Sequence, residues 1–92
     1  MVYLLHFEKP LSHARHYVGS TDNLERRLKE HKAGHASRLT QVVGELGIGW
    51  ECVRTWNKGR KFERHLKVAV KNAPKLCPVC NPDGWQKWQK ED

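Results

Sequence analysis

The sequence predicts one small α/β (α+β) domain, a three-stranded, mainly antiparallel sheet flanked by helices. Three observations carry this reading. Two short β-rich segments joined by a polar loop open the chain and suit a hairpin. Two segments with apolar residues at helical spacing follow, and after them come an alternating strand and a basic third helix. The 92 residues suffice for one domain with a modest core.

Residues 2–7 form a β-rich run that Pro10 closes, residues 9–15 are a polar connection, and residues 16–19 make a second strand ending at Gly19. A helix begins around Asp22-Asn23-Leu24-Glu25. Thr21 or Asp22 is suited to cap it, with Glu25 three residues after Asp22 as in a capping box. It runs to about Lys32, and Gly34 stops it. Leu24 and Leu28 are its apolar pair, and Arg27 and His31 fall on the same face. Two titratable groups on the buried stripe of a short helix are unusual. Residues 36–46 form a second helix through Leu39, Val42, Val43 and Leu46, broken by Gly47 and Gly49. Residues 49–56 alternate as a strand does; Trp50 and Cys52 share a face, and the side taken by Arg54 is open. After a turn at Asn57-Lys58-Gly59, residues 60–71 form a third helix with Phe62, Leu66, Ala69 and Val70 as its core stripe, ended by Pro74. The tail carries Cys77-Pro78-Val79-Cys80, a Pro-Asp-Gly turn, and Trp85 and Trp88. The two tryptophans suit docking on the domain more simply than base stacking or dimerisation.

Hydrophobic residues make up 38% and charged residues 29%, a soluble, folded composition. No apolar run is long enough to span a membrane and no secretory h-region is present, so a cytoplasmic protein is expected. Three cysteines argue against a secreted disulfide framework and fit a reducing compartment. The net charge of +7 points to an anionic partner. It is uneven: residues 54–75 carry eight basic side chains (Arg54, Lys58, Arg60, Lys61, Arg64, Lys67, Lys71 and Lys75) and one acid, Glu63. A face that tracks phosphates has this composition, and so has a solvated basic helix; the charge favours nucleic acid.

Several chemistries are excluded. No close pair of acids stands among the basic residues, as a two-metal carboxylate nuclease needs. There is no P-loop and no Ser-His-Asp pattern. Glu63 is either an ion-pair partner of Arg60, Arg64 or Lys67, or the single carboxylate of a hydrated Mg²⁺. Cys77 and Cys80 are half of a zinc-knuckle ligand set. Cys52 and a histidine are conceivable partners, but one such pair favours reduced thiols or packing over structural Zn²⁺.

His16-Tyr17-Val18-Gly19-Ser20-Thr21, then Asn23-Leu24-Glu25-Arg26-Arg27-Leu28, then His31, resembles the second signature of the GIY-YIG endonuclease family. That family has a Tyr-Ile/Val-Gly strand end, an arginine ten residues after the tyrosine, and often a histidine four further on. Tyr17, Arg27 and His31 have that spacing. Val2-Tyr3-Leu4 stands at the first signature, with Met1-Val2 where the family has Gly-Ile. Phe62-Glu63 on the late helix matches the metal-binding glutamate, and the resemblance covers residues 2–72. It implies a nuclease-like domain over residues 1–76, with residues 77–92 a tail packed on it or extending from it.

The resemblance implies a phosphodiester hydrolase using one Mg²⁺ or Mn²⁺ ion. Glu63 would bind the metal, Arg27 hold the phosphate, Tyr3 stand by the attacking water and Tyr17 orient water or phosphate. His31 would assist proton transfer or touch phosphate. Ser20, Arg38, Lys58, Arg60, Lys61, Arg64 and Lys67 are the candidate nucleic-acid contacts, and Asn81 or Asn72 the supporting asparagine. The substrate is expected to be DNA, with RNA left open. Low sequence specificity, a preference for branched or single-stranded structure, or recruitment by a protein partner is expected, since a separate recognition domain has no room in this length. Oligomeric state is open. The competing readings are a nucleic-acid-binding module of the same fold that does not cut, and a zinc-stabilised interaction domain built around the cysteine pair.

Overall fold

Residues 2–7 are all buried, a pattern that suits a strand covered on both faces. In the computed structural model, which describes residues 1–11, 14–68 and 76–84, that strand is the middle of the sheet. The elements are β1 (Val2–Leu11), β2 (Ala14–Ser20), α1 (Leu24–Lys32), α2 (Arg38–Glu45), β3 (Trp50–Trp56) and α3 (Arg60–Val68). The strand order is β2-β1-β3 and both pairings are antiparallel. The predicted element order holds, and the sheet is antiparallel throughout. Both hairpin strands are longer than expected. The β1–β2 pairing is irregular between His6 and Leu11, which accommodates Pro10 inside β1.

Alternation along β1 divides the core in two. Val2 and Leu4 pack with Val18, Trp56, Leu66, Leu76 and Cys77, with Phe62 and Val53 against them. Tyr3, Leu5 and Phe7 pack with Val43 and with Tyr17, Leu24, Leu28, Leu39, Ile48, Trp50 and Cys52. So α3 covers one face of the sheet, and α1 and α2 cover the other. A bulge settles the side taken by Arg54. Leu4 pairs with Arg54 but Leu5 pairs with Cys52, so Val53 is an extra residue. Trp50 and Cys52 therefore face α1 and α2, while Arg54 and Trp56 turn toward α3. Arg54 is buried there, its guanidinium 4.4 Å from the Trp56 ring centroid, and its Nη1 donates to the Leu76 carbonyl oxygen at 3.1 Å. That bond ties the segment after α3 to the sheet, and Leu76 and Cys77 are fully buried.

Two helix starts differ from expectation. Asn23, not Thr21 or Asp22, caps α1, with its Oδ1 accepting from the Arg26 amide at 3.1 Å. Thr21 Oγ1 instead accepts from the Asn23 amide, Asp22 pairs with Arg26, and Glu25 pairs with Lys29 rather than reaching back to close a capping box. The second helix begins at Arg38 because Ser37 caps it, its Oγ accepting from the Thr40 amide at 3.1 Å. Gly34 and Gly47, at φ 80° and 71°, follow the two helices where only glycine turns the chain without strain. Ala69, Val70, Asn72, Pro74, Trp85 and Trp88 lie outside the described residues. Among those described, no helix is long and apolar enough to cross a membrane.

Candidate active site

Hairpin register places the two tyrosines. Tyr3 lies opposite Gly19 and Tyr17 opposite Leu5, so the tyrosines are diagonal neighbours on the α1–α2 face, their ring centroids 6.2 Å apart. They are adjacent, though not directly opposite. Gly19 makes the arrangement fit: a Cβ there would stand 2.5 Å from the Tyr3 hydroxyl and 2.9 Å from the Tyr17 ring. The glycine after Tyr17-Val18 is required by the tyrosine across from it, not by its own φ.

Tyr3 is fully buried, and its hydroxyl meets His31 Nε2 at 2.6 Å. His31 is 1% exposed, and its Nδ1 lies 2.8 Å from Thr40 Oγ1. One arrangement of protons that satisfies the network has Thr40 Oγ1 donating within the Ser37 cap, 2.7 Å from Ser37 Oγ and 3.3 Å from its carbonyl oxygen, and accepting from the imidazole, so that Nδ1 carries the ring proton. Nε2 is then free to accept from the Tyr3 hydroxyl. The ring is held edge-on to both tyrosines and to Trp50. Burial pushes the Tyr3 phenol up to about 12, although the Arg27 guanidinium beside it works the other way.

Burial, and secondarily Arg27, holds His31 down at about 4, with Glu30 opposing. The neutral imidazole is thus favoured in the folded state. Its stabilising contribution is complete above the unfolded value near 6.5 and is lost as pH falls through about 4. A loss on the order of 3 kcal/mol is expected across that window. Urea midpoints at about pH 7 and about pH 4 should lie further apart in wild type than in His31→Gln. An equal pH dependence in the two proteins would contradict the assignment.

Arg27 arrives from α1 beside Tyr3. Its Nη1 is 3.4 Å from Glu30 Oε1, and its Nε is buried without a hydrogen-bond partner among the described residues. Glu63 arrives from α3, its side chain 20% exposed and paired with Lys67 at 3.0 Å. Because β2 is an edge strand, α3 side chains can reach Tyr17 past it; Lys67 Nζ is 5.5 Å from the Tyr17 ring centroid. The Glu63 charge is close enough to raise the Tyr3 phenol. Thus four elements bring Tyr3, Tyr17, Arg27, His31 and Glu63 to one region.

A cleft of about 430 Å³ opens beside it, lined among others by Ser20, Arg26, Arg27 and Arg60. Arg60, Lys61, Arg64 and Lys67 are exposed on α3, with Lys58 in the turn before it. Arg38 is exposed at the start of α2. Asn81 lies in the turn that carries Cys77 and Cys80, its amide donating to the Cys77 carbonyl oxygen at 2.8 Å; Asn72 is outside the described residues.

Thr40 and Ser37 escaped sequence reasoning. The only signal was the three-residue spacing of a cap and its target, which says nothing about His31. The family model for the GIY-YIG catalytic domain matches residues 1–75. No curated protein and no solved structure matches the chain.

Proposed function

The chain belongs to the GIY-YIG family, whose domain is a nuclease domain, and on that premise we propose that it is a divalent-metal-dependent endonuclease acting on DNA through Tyr3, Tyr17, Arg27, His31 and Glu63. The observation that supports this most is the buried Tyr3–His31–Thr40 chain of hydrogen bonds beside Arg27. Hydrogen-bonded titratable groups with shifted pKa values beside a cation are a signature of proton-transfer sites as well as a way to rigidify a core.

A phenol held at about 12 is a poor base by itself. In the Nδ1–H tautomer, His31 Nε2 can take the Tyr3 proton once the negative charge of a bound phosphate offsets the burial that holds the imidazole at about 4. As the attacking water gives its proton to the Tyr3 oxygen, the Tyr3 hydroxyl proton passes to His31 Nε2, and Thr40 stabilises the ring from Nδ1. Tyr3 is then a relay and His31 the eventual acceptor. Tyr17, against the same ring, orients the water or the phosphate. Arg27 lines the cleft and offers its guanidinium N–H edge to the phosphate oxygens.

The donor set fits the family's metal. Mg²⁺ takes one or two carboxylates and keeps several waters, and Glu63 is a partly buried single carboxylate on the phosphate side of the site. The ion supplies Lewis-acid stabilisation of the phosphate and leaving oxygen. Lys67 neutralises Glu63 meanwhile and can turn to a phosphate.

The exposed cations of α3, with Ser20 and Arg60 in the cleft, suit phosphate oxygens rather than base edges. Phosphate contacts position a strand without reading its sequence. Low sequence specificity, or selection of DNA by branching or single-strandedness, is therefore expected, and a protein partner would add any further selectivity. Labelled single-stranded, duplex and branched DNA incubated with the protein and Mg²⁺ tests this. Products spread over many positions, or clustered at branch points, support it. Cutting confined to one long sequence contradicts it, and binding without products on every substrate favours a non-catalytic binding module.

A further inference from the structure

Four side chains that the proposed chemistry does not use meet on the other face of the sheet. His6 and His16 are directly paired across the hairpin. Cys77 and Cys80 approach them from the turn after α3, and the ligand atoms of all four lie within 4.8 Å of one another. We infer that this cluster is a structural zinc site, with His6 Nδ1, His16 Nε2, Cys77 Sγ and Cys80 Sγ as a complete tetrahedral set.

The distances support a central ion rather than a hydrogen-bonded cluster. A tetrahedral Zn²⁺ with ordinary bond lengths sets ligand edges of about 3.3 Å between nitrogens and about 3.5 Å between nitrogen and sulfur. His6 Nδ1 is 3.2 Å from His16 Nε2, 3.5 Å from Cys77 Sγ and 3.6 Å from Cys80 Sγ, and Cys80 Sγ is 3.5 Å from His16 Nε2. One ring nitrogen has either one proton or one lone pair, so His6 Nδ1 cannot satisfy three neighbours by hydrogen bonds. An ion at the centre satisfies all four groups at once. Both thiols are free, so no disulfide competes.

Four protein ligands leave no open position, which makes the site structural rather than catalytic. Its place in the fold shows what it holds. The histidines come from β1 and β2, while both cysteines lie just beyond the residues 1–75 that the family model matches. The ion would clamp the chain after α3 to the hairpin, at the edge of a core that already contains Leu76 and Cys77. A domain this small gains much from such a clamp. Binding converts two thiols to thiolates and releases their protons to solvent. Cys52, one of the conceivable partners, faces α1 and α2, packs with the cluster that contains Leu5 and is not among the four.

The test is metal content of the full chain purified without chelator, followed by replacement of the metal with Co²⁺. One zinc per chain is expected. The cobalt form should show the intense visible bands of a tetrahedral ion and the near-ultraviolet charge transfer of thiolate ligands. Cys80→Ser, at an exposed position, should lower zinc affinity at least about a hundredfold and lower Tm, while Cys52→Ser should keep the metal. The cobalt spectrum of the unaltered chain stands even if Cys80→Ser does not fold. A folded wild type without zinc, a six-coordinate cobalt spectrum, or a Cys77–Cys80 disulfide in the folded protein would each overturn the assignment.

Discussion

Glu63→Gln is expected to remove Mg²⁺-dependent cleavage, by about a thousandfold or more, while leaving fold and DNA binding close to wild type. The two side chains have the same shape, and the amide oxygen can still accept from Lys67. The lost ion pair is partly exposed and contributes at most about 1 kcal/mol. The neutral amide loses the charge that would hold a hydrated dication. The two roles of Glu63 left open by the sequence separate here. As an ion-pair partner only, it would lose a little stability and no activity. Cleavage at the wild-type rate would move the metal elsewhere, and circular dichroism with a DNA-binding isotherm shows whether the variant remains a fair comparison.

Arg27→Ala is the second large effect, about 3 kcal/mol or more in the chemical step, a hundredfold or more in single-turnover rate. Among the described residues the buried Nε has no hydrogen-bond partner, and the guanidinium lines the cleft where a phosphate would be held. The pair with Glu30 is partly exposed and long, so its loss has little consequence for stability. Arg27→Lys should recover only part of the rate, because an ammonium lacks the planar fork. If Arg27→Ala lowers DNA affinity and leaves the single-turnover rate unchanged, Arg27 holds the ground state only.

Most of the fold was legible because its signals are local. Gly34 and Gly47 end helices that their apolar spacing announces, and the β-rich run from Val2 to Phe7 announces the first strand. The site was legible through spacing along α1, which sets Arg27 and His31 on one face, and through a hairpin that puts Tyr3 and Tyr17 side by side. What escaped depends on atoms distant in sequence. The bulge at Val53 decides which way Arg54 points, and no local residue preference announces it. Thr40 joins His31 only because α2 packs on α1. The cap of α1 moved by one residue because Asp22, Asn23 and Thr21 are all good caps, and the turn at Thr21 selects among them.

His6 and His16 were the larger omission. Cys77 and Cys80 suggested half a zinc site, and the sequence offered Cys52 as the next ligand. Yet the hairpin itself contained the answer. The register that opposes Leu5 to Tyr17 also opposes His6 to His16, on the face away from the tyrosines. Alternation along the hairpin separates two chemistries: Tyr3 and Tyr17 serve the proposed active site on one face, and His6 and His16 the proposed zinc clamp on the other.

The measurement that bears most directly on the proposed activity is cleavage of labelled branched and single-stranded DNA by zinc-loaded protein, with Mg²⁺ either added or withheld. Withholding Mg²⁺ is preferable to a chelator, which would also draw the proposed zinc. Products that form only with Mg²⁺ or Mn²⁺, and that disappear in Glu63→Gln, are the predicted result. Equal cleavage with and without added Mg²⁺, or equal cleavage by Glu63→Gln, would contradict it.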